Sequence, residues 1–312
     1  MKTIDKIIDK KKDLSSERKV KGQDFISTVY HDKNGEVIER NYELKEHNER
    51  SIYSNRKTVF DKYGHVISPI ITKNEPLKGV KILESKSINS ETNPYKLLEG
   101  LEGQEIQLSL PKKRDLLYLN DKELRNALKE KDITVKIMHG PDIDIFCKDF
   151  ASMLGWIRGN YGIDTLTLHP SRGSFESAMQ LFDENNKELE GLGLNISYEN
   201  IKDKDRWLKS PEMITSINNH FISSTLDISH LDSNTDLLDL TEKIFDKLRV
   251  VHLNNVIGGE KDCPYREGRF PVREFLGFLK NNDFKGYIIM GYSSAYRGKS
   301  RDDIDRLREF FG

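Results

Sequence analysis

The sequence predicts an α/β protein, a (β/α)8 barrel preceded by a small β-rich N-terminal domain. Three observations carry this reading. Beyond about residue 101, short runs of strand type alternate with stretches of helical character, the order of βαβ units and a parallel sheet. Several of these runs end on a carboxylate or an imidazole, and the C-terminal ends of parallel strands open together on the side where ligands bind. No Gly-rich dinucleotide fingerprint or phosphate loop follows any strand, so a doubly wound open sheet, the competing arrangement, lacks its usual ligand signal.

Residues 1–22 read as a basic tail or a short amphipathic helix, with Ile4, Ile7, Ile8 and Leu14 at roughly helical spacing among Lys10, Lys11, Lys12, Arg18, Lys19 and Lys21. Residues 23–100 read as a β-hairpin module and a connector. Within it, Thr28 to Ile38 resembles Thr58 to Ile67 with one residue deleted, and each copy reads strand, turn, strand around Asn34-Gly35 or Tyr63-Gly64. Glycine there supplies the positive φ of a tight turn. The connector is poor in apolar residues from Ser85 to Tyr95 and ends in a short helix, Pro94 to Leu101.

The barrel is expected over 101–312. Ile106 to Leu110, Ile133 to Met138, Asp164 to Leu168, Leu194 to Glu199, Ser223 to Asp227 and Arg249 to His252 read as strands, and Gly286 to Met290 as the last. An irregular segment, Lys261 to Tyr265, is needed as the seventh to make eight. Helices are expected at Asp121 to Glu130, Asp144 to Gly159, Phe175 to Glu190, Pro211 to Asn219, Leu237 to Leu248 and Val272 to Lys280; Gly191-Leu192-Gly193 ends the third.

The 312 residues are enough for one large and one small domain. A formal net charge of −1 calls for neither nucleic acid nor an acidic membrane. Cys147 and Cys263 form no disulfide framework, no apolar run approaches a membrane span, and no leader-type apolar region is present, so a cytoplasmic protein is expected; a homo-oligomer is compatible with this.

The chemistry lies at the strand ends. Of five histidines after residue 100, His139, His169, His230 and His252 stand at or just beyond the end of a predicted strand; His220 does not. Glu199 and Asp227 occupy two intervening strand ends. So many unpaired polar groups would cost several kcal/mol each if buried without a metal or a hydrogen-bond network. Two carboxylates and an imidazole, Glu199, Asp227 and His252, are ligands for a divalent metal such as zinc, manganese or magnesium.

Ile137-Met138-His139-Gly140-Pro141, Thr167-Leu168-His169-Pro170, Tyr198-Glu199-Asn200, Leu226-Asp227-Ile228-Ser229-His230 and Val251-His252-Leu253-Asn254 together resemble the xylose isomerase-like TIM-barrel superfamily. That superfamily includes sugar isomerases and epimerases and the endonuclease IV type of abasic-site nuclease, AP endonuclease family 2. The resemblance implies a TIM barrel whose metal is held by Glu199, Asp227 and His252, with a last glutamate where this chain has Met290. It further implies an adjoining metal site on His139, His169 and Glu199. In the nuclease pattern His230 belongs to a third site with an Asp-x-His pair, where this chain has Asp262-Cys263-Pro264. Glu199 and His230 are the expected catalytic residues. Lys112, Arg114, Arg172, Asn254, Asp262 and Arg266 are the expected substrate contacts, and Tyr292 and Tyr296 are placed to stack on a sugar or base. The implied activity is metal-dependent isomerisation or epimerisation of a sugar or sugar phosphate by proton transfer next to a carbonyl. The alternatives are a metal-dependent phosphodiesterase on abasic DNA and a non-catalytic barrel used for binding.

Overall fold

The computed structural model describes residues 16–21, 25–31, 37–44, 56–59, 79–89, 91–110, 121–140, 143–146, 150–203 and 205–312. Eight parallel strands close a barrel: β5 (Lys81–Ser87), β6 (Glu105–Ser109), β7 (Thr134–His139), β8 (Thr165–Leu168), β9 (Asn195–Glu199), β10 (Ile222–Asp227), β11 (Leu248–Leu253) and β14 (Tyr287–Met290). Strands β1 (Ser16–Lys21), β2 (Phe25–His31), β3 (Val37–Leu44) and β4 (Arg56–Val59) form a separate antiparallel sheet in sequence order.

Two strand assignments differ from the sequence reading. The first barrel strand is Lys81–Ser87, inside the segment read as connector, and it closes the barrel between β14 and β6. Its signature is faint because only Ile82 and Leu83 are apolar, and Lys81 and Lys86 sit among the strand residues in ion pairs with Glu105 (2.7 Å) and Glu84 (2.6 Å). The expected seventh strand instead becomes β13 (Glu260–Cys263), an antiparallel hairpin with β12 (Asn255–Ile257) beyond the end of β11. That excursion carries Asp262 back over the barrel mouth.

At the N-terminus, Ser16–Lys21 are strand rather than tail or helix, paired with Ile26 to His31. The hairpin expected across Asn34-Gly35 corresponds to the β2–β3 pairing, while the turn at Tyr63-Gly64 and its return strand lie outside the described residues.

Local chemistry explains several helix bounds. The helix Phe175–Glu184 starts on Ser174, whose side chain accepts from the Ser177 amide, and stops at Asn185, whose side chain donates to the Leu181 carbonyl; Asn186–Leu192 then runs separately to Gly193 at φ 56°. Pro211–Ser216 is a 3-10 turn, and Leu237–Ile244 is capped by Asp236. Of the helix expected over Asp144 to Gly159, the described part is Phe150–Tyr161, and Asp144 to Phe146 are not helical. A last helix, Ser300–Phe311, buries Ile304 and Leu307.

Two apolar layers follow from the period of two along each strand. Leu83, Ile137, Val250, Tyr287 and Ile289 form a small buried cluster of their own, the filling of the barrel lumen. The larger core lies between strands and helices. In that layer the Tyr198 ring meets Trp207 edge-on at 4.8 Å, with Phe182 against both. Tyr198 thus anchors β9 outward, which turns its neighbour Glu199 inward.

Gly286 sits where a Cβ would meet the Arg249 carbonyl at 2.5 Å and the Phe284 ring, while its own carbonyl accepts from Lys81 at 2.9 Å. Gly286→Ala is therefore expected to destabilise the barrel by ~1–3 kcal/mol, read as a lower urea midpoint at unchanged slope.

Candidate metal centre at the barrel mouth

Counting two residues along each strand from the lumen filling reaches the mouth: Leu83 leads to Ser85, Ile137 to His139, Val250 to His252 and Ile289 to Gly291. These residues line one cavity of about 250 Å³ together with Gln107, Ser109, His169, Glu199, Asp227, His230, Asn254 and Asp262.

Glu199 is its centre, 2% exposed and ringed by imidazoles. His139 Nε2 lies 2.7 Å from Oε2, His252 Nδ1 3.4 Å and His169 Nε2 3.8 Å, while His230 Nδ1 lies 3.1 Å from Oε1. Burial opposes the charge of Glu199, but His252 and His139 outweigh it and hold the carboxyl well below its usual range. The same contacts act in reverse on the histidines. Against their burial, Glu199 and Asp227 push His230 up to about 9 and His252 up to about 10.

Asp227 is held by its surroundings. Its Oδ1 accepts from the Ser229 amide (2.8 Å), the Ser229 hydroxyl (2.8 Å) and Asn254 Nδ2 (3.2 Å), and its Oδ2 lies 3.6 Å from His252 Nδ1. The Asn200 side chain clamps the ends of β9 and β10, donating to the Asp227 carbonyl at 2.9 Å and accepting from the Asp227 amide at 2.7 Å. Asp262, at φ 54°, receives Asn254 Nδ2 (3.0 Å) and the Ser229 hydroxyl (3.1 Å); burial and the Asp227 charge raise its pKa.

Two overlapping ligand sets result, His139–His169–Glu199 and Glu199–Asp227–His252, each with its donor atoms within 4.8 Å of one another. Imidazole nitrogens with carboxylate oxygens suit zinc or manganese, and Asp227 carries the outer hydrogen bonds that orient a ligating carboxylate. His139 Nε2 faces the shared Glu199 oxygen, and its Nδ1 is buried with no hydrogen-bond partner among the described residues. The residues fit a divalent cation.

The fourth-ligand position needs correction. Met290 faces outward into the core between strands and helices, 1% exposed; Gly291 is the residue that faces the cavity. One residue of slip along a strand moves every side chain to the other face. Neither residue offers a ligand, and a Cβ on Gly291 would meet nothing closer than Ser85 Cβ at 3.4 Å.

Of the expected substrate contacts, Asn254 and Asp262 reach the cavity. Arg266 does not line it, because it is spent on Asp303 at 2.9 Å. Arg172 lines a separate cleft with Arg206, Ser171, Asp144 and Ile143, across the bridge that pairs it with Arg206. Lys112 and Arg114 lie outside the described residues. Tyr292 is buried and donates to Asp303 at 2.8 Å, a closure of the barrel rather than a stacking face on the cavity. Sequence reasoning missed Ser85 and Gln107, whose side chains bond at 3.0 Å and whose amide oxygen lies 3.2 Å from His252 Nε2. Gln107 and Ser109, polar residues alternating with the apolar Ile106 and Leu108, were the available signal.

Residues 99–310 match a family model described as a xylose isomerase-like TIM barrel. Among solved structures, the chain is similar to a D-tagatose 3-epimerase-like protein (17% identity, TM-score 0.58, covering 73% of this chain and 98% of that one). It is also similar to a xylose isomerase-like TIM barrel protein from Mycobacterium smegmatis in complex with magnesium (11%, 0.55, 76% and 98%). A third likeness is to AP endonuclease, family 2, from Brucella melitensis (13%, 0.52, 70% and 93%). At these identities the likeness is one of fold. Curated protein sequences return no match. No helix among the described residues is long and apolar enough to cross a membrane.

Proposed function

Because the chain belongs to the xylose isomerase-like TIM barrel family, we propose that it is a divalent-metal-dependent isomerase or epimerase acting on a sugar or sugar phosphate. The observation that carries this is the buried Glu199 carboxylate, shared by two ligand sets and contacted by His230 from its other oxygen. Glu199 and Asp227 with His252 would hold the metal, and His139 and His169 the adjoining position. The bound cation would supply polarisation of the substrate carbonyl, which acidifies the neighbouring C–H.

The side chains divide the proton work. Glu199 accepts the proton from the carbon next to the carbonyl; His230, whose Nδ1 lies 3.1 Å from Glu199 Oε1, is the acid that donates one back. His230 fills the role that the absent last glutamate leaves vacant. Asn254 and Asp262, at the cavity wall, are the polar groups placed to orient substrate hydroxyls.

The expected result, with manganese or zinc in D2O, is deuterium incorporation next to the carbonyl of a ketose or ketose phosphate, followed by NMR. A metal-loaded protein that exchanges no proton in a panel of C5 and C6 ketoses and their phosphates would defeat the isomerase reading. The assembly of both ligand sets around one carboxylate favours one second reading, a dinuclear phosphodiesterase on abasic DNA. Chelator-sensitive cleavage of an abasic duplex would establish it in place of the first.

A further inference from the structure

Beside the metal cavity lies a second, larger one of about 820 Å³, and Ser85, Ser109 and Gly291 line both. The shared wall stands at Gly291, just beyond the last strand, where a side chain would otherwise project between them. The metal cavity is compact and crowded by imidazoles. The adjoining groove is wider and has a different charge.

Three cations line it, Lys86, Lys96 and Arg301, against one carboxylate, Glu84. Glu84 is taken by Lys86 at 2.6 Å, so that pair is internally neutral. Arg301 donates to a backbone oxygen, that of Gly100, at 3.1 Å, and Lys96 is exposed; neither has a carboxylate partner among the described residues. Two cations with no carboxylate partner among the described residues, set in a concave surface, raise the local concentration of anions. The remaining lining includes the Ser87 hydroxyl and the Asn93 amide nitrogen, which can donate to anionic oxygens.

We propose that this groove holds an anionic group, phosphate or carboxylate, carried by the same molecule whose carbonyl end enters the metal cavity, and that Gly291 is the opening through which the ligand spans the two. This rests on the isomerase reading and narrows its substrate class to acidic sugars. A neutral sugar would occupy the metal cavity and leave Lys96 and Arg301 facing solvent.

The test is calorimetric titration of the manganese-loaded protein with D-ribulose, D-ribulose 5-phosphate, D-glucuronate and inorganic phosphate, alongside metal analysis of every sample. The phosphate ester is expected to bind at least about tenfold more tightly than the neutral ketose, and the Lys96→Ala/Arg301→Ala variant to lose that advantage at unchanged metal content. Preference for the phosphate ester over glucuronate identifies phosphate as the anion, and the reverse identifies carboxylate. Lys96→Glu is a second variant that breaks no described contact, so a folding defect at Arg301 does not decide the matter; it should weaken both anionic ligands and leave D-ribulose unaffected. Equal affinity for neutral and anionic ligands, or variants that bind both as the parent does, would overturn the groove assignment. If the parent protein takes up no metal, the isomerase reading fails independently; inorganic phosphate binding that is lost in Lys96→Glu would still uphold the groove, and its absence would sink it.

Discussion

Glu199→Gln is expected to empty both metal positions in one step. Glutamine keeps the shape of the side chain but removes the charge that is common to His139–His169–Glu199 and Glu199–Asp227–His252. It also replaces an acceptor oxygen with an amide donor among four imidazoles, three of them within 3.4 Å of the carboxylate. Metal content should fall from at least one equivalent to below detection in elemental analysis, and proton exchange should drop by ~10²–10⁴ if Glu199 is the base. The barrel itself should persist, because its lumen filling and outer core lie in other layers. The thermal upshift that metal gives the parent should vanish in the variant. A variant that retains full metal and normal exchange would mean that Glu199 is neither ligand nor base.

The second large effect concerns pH. His252 is raised to about 10 and His230 to about 9 from 6.5, so the protons they hold stabilise the metal-free fold in full below pH 6.5; this contribution disappears as pH rises through about 9 to 10. Glu199 has the opposite sign. Its folded value is lowered, so its contribution is present above pH 4.5 and lost as pH falls through the folded value. The metal-free protein should therefore gain most from this cluster between pH 4.5 and 6.5. A cation must displace the His252 proton, so its apparent affinity should weaken about tenfold per pH unit on going from pH 9 to 6, roughly 10³ in all. Competition titrations with a chromogenic chelator across that range measure the slope. Affinity independent of pH would show that His252 is not a ligand.

The legible part of this chain and the illegible part differ in physical kind. Glu199, Asp227 and His252, with His139 and His169, stood out because a charged or imidazole side chain directly after an apolar run has few structural uses at the end of a parallel strand. The convergence of His139, His252 and His169 at 2.7 to 3.8 Å around the Glu199 carboxylate, with Asp227 against His252, is what those positions lead to once the sheet closes. The helices of strong apolar period were equally visible, as with Asp121–Glu130 and Val272–Asn281.

What the residues could not disclose depended on which neighbour lies alongside. Lys81–Ser87 has too few apolar residues to announce a strand, and it becomes one because β14 and β6 each offer it an unpaired edge; closure satisfies the backbone groups of all three. Arg266 and Arg172 look like ligand contacts beside strand ends until the fold supplies Asp303 to one and a separate cleft to the other. Gln107 and Ser85 join the site only through their bond across adjacent strands. Residue type and local period were enough to set the alternating units and the ring of carboxylates and imidazoles at the strand ends. Tertiary structure alone decided the strand that closes the barrel and the choice of Gly291 over Met290 as the residue facing the site. Those outcomes rest on the register between strands distant in the chain, and a shift of one residue there turns a side chain from the core to the cavity.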